Sequence, residues 1–254
     1  MRILLLRHGE PDYEKDSLTE KGKHEAELLS RRLEKYDIRD VYVSPLGRAR
    51  ETAEYTLKRL GLKAVCLPWL PEFRARIPAS GITGGTSLPW DWPQDQWPGQ
   101  PGVLDSEGWA DIPAYNGGNV REIWEETKHG ADALMAGYGF FKSGPVWQCE
   151  NNTTITIAVF SHFAVQMAFA AYLCDISPML LWQRTLCLPS SLTELVTEER
   201  EKGKAAFRIT RLGDCTHLEE NGEYRSMAGL FPECYNGIDS TDWKVNGMEN
   251  IRKY

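Results

Sequence analysis

The apolar run Ile3-Leu4-Leu5-Leu6 has no polar interruption and stops abruptly at Arg7-His8-Gly9-Glu10. A short continuous apolar stretch bounded by turn-forming residues predicts a strand buried on both faces, here over residues 2–6. Thr19-Glu20 then opens a polar helix to about Tyr36, with Ala26, Leu29 and Leu33 on one stripe. Asp40–Val43 reads as a second strand ending at Ser44-Pro45. Gly47–Leu60 reads as a helix closed by Gly61, and Leu62–Leu67 as a third strand. The alternation βαβαβ predicts a parallel sheet with right-handed crossovers.

The texture changes between Arg74 and about Gly118, where prolines and glycines interleave with Trp90, Trp92, Trp97 and Trp109. Regular structure is excluded over most of this stretch. Its aromatics argue against disorder and for an ordered lid or cap, residues 74–118, inserted into the domain. The tryptophans read either as a small core of the insert, the favoured view, or as an apolar wall for a substrate. Periodic structure resumes with a helix from Val120 to about Phe141, a strand over residues 154–162 and a helix over Phe163–Cys174. Two further strands, Leu192–Thr197 and Ala206–Arg211, read as a hairpin across a charged turn. The polar stretch after Leu218 predicts no element.

The chain has 254 residues, 42% of them hydrophobic, enough for one domain spanning 1–254 around one large core. With 29 basic against 36 acidic residues the net charge is -7, which gives no footprint for nucleic acid. The 6 cysteines form no Cys-x-x-Cys pair and so lack zinc-site spacing. No apolar run approaches membrane-spanning length, and the N-terminal one is too short for a secretion signal. The expectation is a soluble, cytoplasmic chain with reduced thiols, no membrane partner and no nucleic-acid partner. Asn151 and Asn152 satisfy the Asn-x-Thr pattern, which in such a protein reads as a polar loop.

Two predicted strands end at a histidine: His8 after ILLLR and His162 after IAVFS. In a parallel sheet the strand C-termini share one edge, where ligands bind. Arg7 accompanies His8, and Arg48 stands just past a third strand end. Two arginines, two histidines and helix N-termini are the ingredients of a pocket for a phosphate dianion. A lone histidine at a strand end is commonly a polar cap; it is the company of Arg7 and Arg48 that favours chemistry. Glu72, past the third strand, is the favoured proton donor, with Glu10, Asp12 and Asp91 as alternatives. A histidine between arginines stays neutral, and its second ring nitrogen needs an acceptor such as a backbone carbonyl. His24 and His129 fall on helix surfaces, and His217 reads as structural. Neighbouring arginines argue against a metal on His8 and His162.

The segments LLLRHGE, LTEKG, SPLGRARETA, FSH and GDCTHL together resemble the histidine phosphatase superfamily, also called the phosphoglycerate mutase-like family, from residue 2 to about 218. The resemblance implies a three-layer α/β/α fold with a mostly parallel sheet. It implies that His8 is transiently phosphorylated, that Arg7, Arg48 and His162 hold the phosphoryl group, and that Glu72 donates the proton. It implies a small phosphorylated metabolite and phosphate as ligands, with no cofactor and no metal. Three positions depart from the family pattern. Phe163 stands where a glycine usually follows the second histidine, and becomes a candidate substrate-binding residue. PDYEKD supplies no asparagine before Ser17. EFRARIPASG replaces the mutase-type Glu-Arg-x-Tyr-Gly segment. The last two point to a phosphatase hydrolysing a small phosphomonoester. The alternatives are a cofactor-dependent mutase and a phosphate-binding protein without turnover.

Overall fold

The computed structural model describes residues 1–78, 86–91, 95–150 and 153–229. Its eight-stranded sheet is built from β1 (Arg2–Arg7), β2 (Ile38–Val43), β3 (Ala64–Cys66), β4 (Phe140–Ser143), β5 (Val146–Cys149), β6 (Thr156–Ser161), β7 (Leu192–Glu201) and β8 (Lys204–Asp214). The spatial order is β3-β2-β6-β1-β7-β8-β5-β4. The pairs β3–β2, β2–β6 and β6–β1 are parallel, and the remaining four pairs are antiparallel. Only β7 and β5 therefore oppose the direction of β1, so the sheet is mostly parallel in strand direction, as expected.

Helices cover both faces. α1 (Glu20–Leu33) and α2 (Gly47–Leu60) lie on one; α3 (Val120–Ala136), α4 (Phe163–Cys174) and α5 (Pro178–Arg184) lie on the other, and α6 (Thr216–Glu219) is a final short turn. The uninterrupted run in β1 follows from this layering. Alternate side chains of a strand point to opposite faces. Leu4 and Leu6 join Leu29, Leu33, Ala49 and Ala53, while Ile3 and Leu5 join the larger cluster with Ile157, Val159 and Phe169. A strand covered on both faces needs no polar alternation. α4 is buried on nearly every side, consistent with a sequence apolar all round.

Local chemistry sets the helix ends. Thr19 caps α1, its hydroxyl accepting from Gly22 N at 3.0 Å, and Gly61 ends α2 in the left-handed conformation with φ 67°. A Cβ on Gly9 would collide with the Gly22 carbonyl, and one on Gly22 with the Glu10 carbonyl. The glycines of RHG and EKG thus let the first turn of α1 close against the loop that carries His8.

Three expectations change. The helix expected to reach Phe141 stops at Ala136, and residues 140–149 form the edge hairpin β4–β5 instead. β3 is confined to 64–66, shorter than the apolar pattern. α5 forms where no helix was expected; Ser177 caps it and Pro178 occupies its first turn. Within the insert, Trp109 is buried edge-on against Trp124 and Trp182, with centroids 5.2 Å apart in each pair. Trp90 lies 5.3 Å from Trp182, and Trp97 is buried under the Arg184 guanidinium. These tryptophans extend the main core rather than forming a separate one. Trp92, Asn151, Asn152 and the tail beyond Gly229 lie outside the described residues.

Candidate active site

The parallel register brings the two histidines together. Arg7 of β1 pairs with Ser161 of β6, so His8 and His162 each stand one residue past a shared rung. Their ring centroids are 5.1 Å apart and both side chains are buried. His8 Nδ1 lies 2.7 Å from the Gly9 carbonyl oxygen. A carbonyl only accepts, so Nδ1 carries the proton and Nε2 keeps its lone pair. Burial first, then the Arg7 guanidinium, holds the His8 imidazole well below its ordinary pKa. Burial, then His8, Arg48 and Arg7, does the same to His162. Both rings are therefore neutral near pH 7.

The arginines are braced by backbone and by one acid. Arg7 Nη1 donates to the Cys187 carbonyl at 2.6 Å, and its guanidinium lies 5.8 Å from the Phe163 ring centroid. Arg48, at the start of α2, donates from Nη1 to Asp16 Oδ1 at 2.5 Å, while Asp16 Oδ2 accepts from Gly47 N at 2.6 Å. Asp16 reaches both from a left-handed backbone, φ 49°. Arg7 Nε, Arg48 Nε and His162 Nδ1 are buried with no hydrogen-bond partner. A buried unpaired polar group costs about 1–3 kcal/mol, and an oxyanion is the ligand that two guanidinium groups would satisfy best.

Glu72 meets the backbone just past His162. Its Oε1 accepts from Phe73 N at 3.0 Å, Ala164 N at 2.9 Å and Val165 N at 3.3 Å. The carboxyl thus sits on the first turn of α4, the helix that His162 precedes as N-cap. The alternative acids are otherwise engaged. Glu10 accepts from Thr19 Oγ1 at 2.9 Å and Ser226 Oγ at 2.7 Å, and Asp12 pairs with Lys15 at 2.8 Å. Asp91 lies in the insert, where burial raises its carboxyl above the usual pKa. Among the described residues no group of three or more His, Cys, Asp or Glu is placed to hold a metal. No helix among them is long and apolar enough to cross a membrane.

The family model of the histidine phosphatase superfamily, branch 1, matches residues 3–100, the stretch that holds Arg7, His8, Arg48 and Glu72. That match spans less than half of the 254 residues. A probable phosphoglycerate mutase of Photorhabdus laumondii is 32% identical over 112 residues, 40% of this chain and 52% of the relative. Another from Serratia proteamaculans is 35% identical over 145 residues, 53% of this chain and 63% of the relative. The matches thus span between half and two thirds of those proteins. Two solved structures share the fold. A phosphoserine phosphatase of Entamoeba histolytica, a mutant with phosphoserine bound, has TM-score 0.55 at 18% identity, covering 85% of this chain and 98% of that one. A mycobacterial glucosyl-3-phosphoglycerate phosphatase in complex with VO3 has TM-score 0.54 at 21% identity, covering 83% and 97%.

Several supports of this site were not singled out from the sequence. Ser44 Oγ lies 2.8 Å from His162 Nε2 and fixes that ring. Thr52 Oγ1 accepts from Gly9 N at 3.0 Å and donates to the Arg48 carbonyl at 2.8 Å, joining α2 to the His8 loop. Its spacing four residues after Arg48 places both on one helix face, a usable signal. Ser190, left-handed with φ 63°, donates from its backbone N to the His8 carbonyl at 2.9 Å. Its hydroxyl lies 3.0 Å from Nε2 of His217. The structural reading of His217 accords with this buried contact.

Proposed function

We propose that the protein hydrolyses a small phosphomonoester through a phosphohistidine on His8. The observation that carries this reading is the His8 tautomer: Nδ1–H held on the Gly9 carbonyl at 2.7 Å, in a ring kept neutral by burial and Arg7. Nε2 attacks phosphorus, the P–O bond to the leaving alcohol breaks, and the Glu72 carboxyl gives its proton to that oxygen. Arg7, Arg48 and His162 stabilise charge on the equatorial oxygens, and Phe163 lies against the substrate. Water then attacks the phosphorus of phospho-His8 while Glu72 takes its proton, and inorganic phosphate leaves with His8 restored. Support comes from the family-model match over residues 3–100, the clustering of Arg7, His8 and His162, and the orphaned guanidinium nitrogens.

The names of the curated relatives favour a second reading, phosphotransfer of the mutase type, in which phospho-His8 outlives substrate exchange. Purified protein screened against p-nitrophenyl phosphate and a panel of phosphorylated metabolites, read as released phosphate, tests the first. Conversion of 3-phosphoglycerate that depends on a bisphosphate primer, with no net phosphate release, would replace it by the second. Binding of phosphate without either turnover would leave only a phosphate-binding protein.

A further inference from the structure

We infer that the protein carries a second anion site, separate from the His8 pocket, that takes a small polyanion bearing clustered phosphate or carboxylate charge. A cavity of about 340 Å³ opens between the C-terminal end of α1 and the turn from β8 into α6. That volume lies in the range of small-molecule sites. Arg31, Arg32, Lys35 and Arg211 line it, against one lining carboxylate, Glu220. The chain as a whole carries -7, so this concentration of cations runs against the global balance.

Internal pairing does not cancel the excess. Asp214 is shared, at 2.5 Å from Arg32 and 3.1 Å from Arg211. Glu27 serves Arg31 at 3.2 Å and also Arg59 at 2.6 Å. Lys35 has no ion pair among the described residues, and it stands in the turn just past α1, four residues after Arg31. Like charges gathered at one helix end repel, and an anion between them removes the penalty. Cations at a helix C-terminus are common for the sake of the helix dipole. That accounts for Arg31, Arg32 and Lys35, but not for Arg211, which arrives on β8 from elsewhere in the fold. Two guanidinium groups on different elements, an ammonium and the Asn221 side chain facing one cavity match a ligand with several oxyanion charges. A long anionic polymer is disfavoured, because the chain's net charge of -7 repels it. The inner wall is the buried His217, whose Nδ1 lies 3.3 Å from Arg32 Nη1. No residue lining this cavity belongs to the His8 pocket.

The test is calorimetric titration of methylenediphosphonate, which contains no hydrolysable bridge, into the full chain at low ionic strength. Arg31 and Lys35 are exposed, so Arg31→Glu/Lys35→Glu keeps the fold, checked by an unchanged melting curve. The wild type is expected to bind the probe, and the double variant to lose one equivalent or bind it about tenfold more weakly or worse. Hydrolysis of a phosphomonoester without the probe stays unchanged in the double variant. An isotherm that the double substitution leaves as it was, but Arg7→Ala abolishes, would put all binding in the catalytic pocket and overturn the inference. Absence of binding to the wild type would overturn it as well. A wild type that binds one equivalent, lost on charge reversal, upholds this site while counting against anion binding at His8.

Discussion

The parallel strands β3, β2, β6 and β1 and the antiparallel strands β7, β8, β5 and β4 are halves of one sheet, and each half buries large aromatic and aliphatic side chains. In the parallel half every strand ends at the same edge. Arg7, His8, Arg48, Glu72, His162 and Phe163 all lie at or after those ends. In the antiparallel half β7 leaves that edge and β8 returns to it, and β5 and β4 form a peripheral hairpin packed by Trp147 and Phe140. This half supplies props instead: the segment leading into β7 holds Arg7 through the Cys187 and Ser191 carbonyls and His8 through Ser190 N. The contrast is between side chains proposed to react and backbone that positions them. It follows from strand direction, since parallel neighbours stack their C-termini and helix N-termini on one side.

Substitutions in the two halves should therefore fail differently. His8→Ala is expected to abolish phosphate release while leaving the melting temperature close to wild type. Trp147→Ala removes a ring that packs edge-on against Tyr172 and Phe207 and donates from Nε1 to the Leu173 carbonyl. It is expected to cost about 3–5 kcal/mol in denaturant titration, with turnover per folded molecule retained. Loss of turnover in folded Trp147→Ala would break the division between the halves.

Acid sharpens it next. His8, His162 and His217 are held neutral, so the unfolded chain binds protons that the fold does not. Stability is then complete above an unfolded histidine pKa of about 6.5 and declines as pH falls below it. For His217, pushed down to about 4 by burial and then Arg32, the decline runs from about 6.5 to about 4 and reaches about 3 kcal/mol. Urea midpoints measured across that window should slope less in His217→Gln than in the wild type. Asp16→Asn keeps an acceptor near Arg48 but removes its charge, and turnover is expected to fall by about tenfold with little change in stability. Glu25, buried behind Glu10, gives a slope of the opposite sign, because burial raises its carboxyl to about 7. A raised acid favours the fold below its unfolded pKa and loses that contribution as pH rises from about 4.5 to about 7. Glu25→Gln should flatten the stability profile there.

The parallel half was legible in the sequence because its strands are uninterrupted apolar runs ending in charge, and its helices carry caps at Thr19 and Gly61. The segments that resemble the histidine phosphatase superfamily lie on those same ends. The hairpin at residues 140–149 was not legible. FFKSGPVWQC follows a helix without a helix stop until Gly137, and period-3.6 and period-2 readings overlap over so short a run. Asp16 and Ser190 escaped notice because their roles depend on left-handed backbone, which a sequence signals weakly outside glycine. Ser44, by contrast, stood in the SPLGR segment, but its partner His162 lies 118 residues away and only the sheet register joins them.

The central claim is that His8 Nε2 forms the bond to phosphorus. Rapid quenching of the purified enzyme with a turned-over phosphomonoester labelled in its phosphoryl group, followed by peptide mapping under alkaline conditions, tests it directly. The account predicts an acid-labile, alkali-stable label on the peptide containing Arg7-His8-Gly9, absent in His8→Ala and longer-lived in Glu72→Gln. Full turnover with no label at His8 in either the wild type or Glu72→Gln would contradict it.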